Sequence, residues 1–170
     1  TRNESNVHDD NSLAKLALTA KAGILSGKAV YGKTGKEGGL TALDFDASTT
    51  LLGWSATTNG KADADFYQLV AAVDILPELN LSANYVNVDY TSAIDKNADG
   101  DTVGKTSSEE EEIYAQLTYK MSKNLVSYIR YGVYTKDDSK QSFTDNTHNG
   151  DSRADAVDDT RGRIQVAYTF

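Results

Sequence analysis

Arg161-Gly-Arg-Ile-Gln-Val-Ala-Tyr-Thr-Phe170 alternates without a break: Gly162, Ile164, Val166, Tyr168 and Phe170 fall on one side of an extended chain, and Arg161, Arg163, Gln165, Ala167 and Thr169 on the other. A period of two is the signature of a strand with one apolar and one wet face. The strand ends on an aromatic residue at the C-terminus. A strand of this kind in isolation decides little, but the rest of the chain repeats it.

Leu125, Ser127, Ile129, Tyr131 and Val133 alternate with Tyr128, Arg130, Gly132, Tyr134 and Lys136, and upstream Ile113, Ala115, Leu117, Tyr119 and Met121 alternate with Tyr114, Gln116, Thr118 and Lys120. Ser122-Lys123-Asn124 joins these two runs as a tight hairpin. Tyr67, Leu69, Ala71, Val73 and Ile75 form another apolar face, joined through Leu76-Pro77-Glu78 to Leu79, Leu81, Ala83 and Tyr85. Beyond Tyr85 the apolar set becomes Val86, Val88 and Tyr90, a phase slip that predicts a β-bulge near Tyr85. Leu16, Leu18, Ala20 and Ala22 alternate with Lys15, Ala17, Thr19 and Lys21, followed by a link at about 23–27 and a short strand through Ala29, Val30 and Tyr31. Seven strands result. An eighth is expected only if the stretch from Leu40 to Thr58 conceals one.

The connections alternate in length. Short links at about 23–27, 76–78 and 122–124 take turns with long ones at about 34–61, 92–108 and 137–158. Outer-membrane barrels have this asymmetry, with short periplasmic turns and long extracellular loops. No apolar run nears the roughly 20 residues of a membrane helix. The chain instead holds 10 Tyr and 13 Gly with one Pro and no Cys, a composition of strands, turns and interfacial aromatics. The expected fold is therefore an all-β, antiparallel transmembrane barrel spanning residues 1–170. Seven is an odd number, whereas single-chain bacterial barrels close on an even one. The chain is expected either to gain one strand, as a small eight-stranded barrel, or to be the C-terminal part of a larger one. Thr1-Arg-Asn-Glu-Ser-Asn6 does not read as a signal peptide.

The net charge of −8 opposes nucleic-acid binding, which requires clustered Lys and Arg. The acids are localised. Asp95, Asp99, Asp101 and Glu109 to Glu112 face only Lys96 and Lys105, while Asp137, Asp138, Asp145, Asp151, Asp155, Asp158 and Asp159 face only Lys140 and Arg153. On the wet faces stand Lys15, Lys21, Asp74, Glu110, Glu112, Lys120, Arg130, Arg161 and Arg163, the expected pore-lining set. A basic wall opposite acidic loops sets up a transverse field that tunes ion selectivity.

Asp95-Lys-Asn-Ala-Asp-Gly-Asp101 matches the first half of a calcium loop, with oxygens of Asp95, Asn97, Asp99 and Asp101 as candidate ligands for Ca2+. The twelfth position is Thr106 rather than Glu, so a ligand such as Glu109 would have to complete it. No enzyme is expected. His8 and His148 lie in polar stretches without a nucleophile arrangement, and Gly35-Lys-Glu-Gly-Gly39 lacks the Lys-Ser/Thr of a phosphate loop.

Leu79-Asn-Leu-Ser-Ala-Asn-Tyr-Val-Asn-Val-Asp89, Ala29-Val-Tyr-Gly32 and the closing Ile164-Gln-Val-Ala-Tyr-Thr-Phe170 resemble the Campylobacter-type major outer-membrane porins, OprD-like trimeric channels. The resemblance implies a barrel of about eighteen strands of which this chain would supply the last seven. It further implies a homotrimer in the bacterial outer membrane, in contact with lipid and lipopolysaccharide. Bound calcium is associated with the same family. Recognition by the barrel-assembly machinery would fall on Tyr168 and Phe170. The leading expectation is a porin for passive diffusion of ions, with cation preference, and of small hydrophilic solutes. A small barrel acting as an adhesin or structural anchor, and a soluble calcium-binding β-domain, are the alternatives.

Overall fold

Seven amphipathic runs separated by tight turns and longer links give, among the described residues, seven strands paired in chain order. The computed structural model describes residues 12–36, 53–96, 102–143 and 156–170. The strands are β1 (Leu13–Ala22), β2 (Leu25–Thr34), β3 (Ala62–Leu76), β4 (Leu79–Lys96), β5 (Thr102–Lys120), β6 (Leu125–Phe143) and β7 (Val157–Tyr168). They form one antiparallel sheet in the order β1-β2-β3-β4-β5-β6-β7, with β1 and β7 as its edges. The all-β, antiparallel expectation is met, and the sheet is open.

The register aligns side chains of one kind across the sheet. Leu25, Val73, Leu81, Leu117, Ile129 and Ile164 stand in one row from β2 to β7, and Leu18, Ala29, Leu69, Tyr85, Ile113 and Val133 in another. This face is apolar and uncovered: Leu18 is 64 % exposed, Ile129 54 % and Ile164 77 %. From Ile113 in β5 to Met121 just past its end the band runs about 27 Å along the chain and about 20 Å after a barrel-like tilt, close to the ~25 Å apolar belt of outer-membrane barrels.

The opposite, polar face carries the buried cluster. Val30, Ala56, Ala64, Phe66, Val86, Val88 and Tyr90 pack there. This corrects the bulge expected near Tyr85. The β3–β4 register runs unbroken from Asp65↔Asp89 to Asp74↔Asn80, and its shifts lie between Ala62 and Asp65 and between Asp74 and Leu76. Val86, Val88 and Tyr90 are apolar because residues 53–58 cover that part of the polar face, so the strand keeps its phase while the environment of the face changes.

Tight turns close one end. Gly23, at φ +59°, shapes the two-residue turn between β1 and β2, since the left-handed region costs glycine nothing. The link expected at 23–27 therefore shrinks to residues 23–24, and β2 is a full strand. At the opposite end the β2–β3 connection spans residues 35–61, matching the expected long link, but strands occupy 92–96, 102–108, 137–143 and 157–158 of the other two. Of the stretch from Leu40 to Thr58, residues 40–52 lie outside the described residues, and 53–58 form bends and an isolated bridge.

Candidate channel wall

All nine residues assigned to the wet faces share the polar face. The register places Lys15 beside Gly32, Lys21 beside Ser26, Asp74 beside Asn80, Glu110 between Val88 and Lys136, and Glu112 between Val86 and Tyr134. Lys120 pairs with Val126, Arg130 with both Gln116 and Arg163, and Arg161 with Gly132. Lys28 joins them opposite Thr19; a strand read from Ala29 onward leaves it out. Near the turns Lys21 contacts Asp74 at 3.0 Å, and Asn80 donates to the same carboxylate at 2.8 Å. These exposed contacts hold two neighbouring hairpins in register and contribute little energy.

Farther from the turns the wall is covered. Glu112 is 1 % exposed, and its carboxylate accepts the backbone N–H of Trp54 at 2.7 Å, of Ser55 at 3.0 and 3.1 Å, and of Ala56 at 3.4 Å. Successive N–H groups converging on one anion form a nest, and such charge-assisted bonds are the strong ones. Two residues along β5, Glu110 forms a buried ion pair with Lys61 and accepts the Tyr90 hydroxyl at 3.0 Å. The Lys61 ammonium lies 4.5 Å from the Tyr90 ring. Burial pushes its pKa below the usual lysine value, and Glu110 pulls it back. The two glutamates expected among the pore-lining residues thus face the polar side but serve as anchors for residues 53–61.

Trp54 makes the third attachment. Its ring meets Tyr114 edge to face at 6.2 Å and lies against two neighbouring guanidinium groups, 5.2 Å from Arg130 and 5.4 Å from Arg163. Arg130 also stacks on Tyr114 at 4.9 Å and Tyr128 at 5.1 Å, and donates to Gln116 at 2.8 Å. Neighbouring Arg161 donates to the Ser55 hydroxyl and stacks on Tyr134 at 4.6 Å. Aromatic faces attract guanidinium charge, and the contact strengthens as water is excluded. Among the described residues, neither Arg130 nor Arg163 forms an ion pair. Trp54 and Lys61 escaped the sequence reading because they lie in a link without periodicity.

Above the apolar band, the other face turns acidic. Asp65, Asp89, Glu109 and Asp137 stand in one row across β3 to β6. Lys33 contacts Asp65 at 2.8 Å, Asn87 donates to Glu109 at 2.7 Å, and Tyr85 donates to Glu111 at 2.6 Å. Tyr31, Tyr67 and Tyr85 mark the boundary between band and acids, with the last two rings 5.7 Å apart. Apolar below and hydroxyl-tipped above, these side chains suit an interface between lipid and water.

Of the candidate calcium ligands, Asp95 is in β4, and Asn97, Asp99 and Asp101 lie outside the described residues, as do His8, His148 and residues 37–39 of the glycine-rich tip. Among the described residues no group of three or more His, Cys, Asp or Glu side chains is placed to hold a metal. Tyr168 and Phe170 sit at the turn end, ring centroids 5.0 Å apart, both exposed. No protein-family model matches the chain, and neither does any curated protein or solved structure.

Proposed function

We propose that the chain forms part of the wall of an outer-membrane porin, a water-filled channel for passive diffusion of ions and small hydrophilic solutes. The observation that carries this reading is the sheet's inversion: a continuous uncovered apolar face across six strand pairings, backed by a face rich in Lys, Arg, Gln and Asn. Lipid outside and water inside is the environment that satisfies both. Among the described residues no helix is long and apolar enough to cross a membrane.

Closure follows from strand direction. In an antiparallel meander β1 and β7 run the same way, so they cannot pair antiparallel with one another. An odd number of further strands between them restores antiparallel pairing: one in a small barrel, about eleven in the eighteen-stranded barrel of the resembling family. The larger number is favoured because residues 53–61 lie on the polar face, and an eight-stranded barrel has an interior only wide enough for side chains. In this reading the barrel is a homotrimer in the bacterial outer membrane. Its tyrosine rim and acidic row stand at the level of lipopolysaccharide, and Tyr168 and Phe170 are presented to the assembly machinery. The acidic end concentrates cations at the mouth and gives cation preference, with calcium held by the Asp95 to Asp101 loop.

Planar-bilayer recording of the purified protein tests the reading. Stepwise conductance with a reversal potential favouring cations across a salt gradient is expected. Absence of any conductance would overturn the channel, and anion preference would show that the arginine-rich wall outweighs the acidic end. Calorimetry with Ca2+ tests the loop, and no binding heat would remove calcium from the reading.

A further inference from the structure

We infer that Glu112 is the positioning residue of an internal segment that narrows the channel: its buried carboxylate gathers the backbone N–H groups of Trp54, Ser55 and Ala56 and thereby fixes residues 53–58 against the wall. The inference rests on the channel reading above, because only there does the polar face line a lumen.

Three independent features converge on the segment. The carboxylate is 1 % exposed and its bonds go to backbone N–H groups, so it reads the path of the chain rather than the identity of the side chains. Gly53 comes so close that a Cβ built there would stand 2.1 Å from Glu112 Oε2 and 3.0 Å from Val86 Cγ2. Any larger residue must push either the carboxylate or the segment off its seat. Trp54, next in sequence, lies against both Arg130 and Arg163, whose guanidinium groups would otherwise face the lumen. The segment thus covers two cations as it narrows the passage, and its release would both widen the bore and uncover positive charge.

Trp54 is the single tryptophan of the chain, so its fluorescence reports the segment directly. The test compares the full-length protein, folded in detergent and in bilayers, with Glu112→Ala, Glu112→Gln and Gly53→Val. Glu112→Gln keeps the shape but loses the charge and one acceptor oxygen. Gly53→Val attacks the same contact from the other side and leaves β5 intact, which covers the case that Glu112→Ala does not fold. A several-fold rise in acrylamide quenching of Trp54 is expected for Glu112→Ala and Gly53→Val, with a smaller rise for Glu112→Gln. Single-channel conductance and the size of passing solutes should increase in the same order, with a shift of the reversal potential toward anions. Unchanged quenching in the folded variants would overturn the inference, whether or not the protein conducts. Changed quenching with unaltered conductance, in a wild type that conducts, would overturn it as well, because the segment would then be tethered without narrowing anything. A wild type that does not conduct would sink the channel reading itself.

Discussion

The two faces of this sheet obey opposite rules. On one, twenty large apolar side chains among the described residues lie exposed on the face or at its turn rim. On the other, two glutamates and a lysine are buried, at 6 % exposure for Glu110, 1 % for Glu112 and 8 % for Lys61. Removing one such apolar side chain from water is worth roughly 1.5–3 kcal/mol, so even at partial exposure the uncovered face represents on the order of 20 kcal/mol. That exceeds the ~5–15 kcal/mol by which a domain is usually stable. The comparison teaches that a face's polarity follows what covers it: the apolar face is uncovered along its length, and the polar face is buried only where its own chain lies on it.

The sharpest way to break the comparison is to remove one buried charge. Glu110→Ala leaves the Lys61 ammonium buried without its carboxylate, and a loss of about 3–5 kcal/mol is expected, read as a lower urea midpoint for the protein folded in vesicles. The pair Lys61→Met with Glu110→Leu should recover most of that loss, because no charge then remains buried. If the single variant unfolds at the wild-type midpoint, the polar face is wet at this site and the contrast between the faces disappears.

A charge placed on the other face should cost somewhat less and depend on depth. Leu117→Arg puts a guanidinium in the middle of the apolar band, between Leu81 and Ile129, and about 2–4 kcal/mol is expected near the bilayer midplane. Ile113→Arg, nearer the tyrosine rim, should lose less in the same vesicle assay. In water both positions would tolerate arginine, so equal stabilities for both variants and wild type would return the chain to the class of soluble sheets.

Legibility in the sequence followed the same division. The strands were readable because one apolar and one polar face impose strict alternation, and β5, β6 and β7 came out with their faces as expected. Val86, Val88 and Tyr90 misled because alternation reports the environment of a face, and here a distant segment changed that environment midway along β4. The site's anchors were half visible: Glu110 and Glu112 could be assigned to the polar face from their spacing, but their partners Lys61 and Trp54 belong to a link whose path no periodicity encodes. Gly23 hid the true extent of β2, because a two-residue turn followed by Ser26-Gly27 reads as one longer link.

The smallest expected effect sharpens the comparison at the turn end, where neither face dominates and hydrogen bonds alone secure the C-terminus. Asn124 accepts from the backbone N–H of Thr169 at 2.9 Å and returns its side-chain amide to the Thr169 carbonyl at 2.8 Å. This exposed clasp ties the β5–β6 turn to the end of β7 and so fixes where Tyr168 and Phe170 stand. Asn124→Ala removes the side-chain half, and about 0.5–1.5 kcal/mol is the usual net worth of such a bond. Global unfolding should shift only slightly, because the clasp lies at an edge and its loss frays the last residues before it touches the rows of β2 to β6. Amide hydrogen exchange at Thr169 should nevertheless accelerate, and assembly into vesicles should slow if the presentation of Tyr168 and Phe170 matters for folding. Unaltered exchange at Thr169 would mean that strand pairing, through Leu125↔Tyr168 and Val126↔Ala167, already fixes the terminus without the clasp.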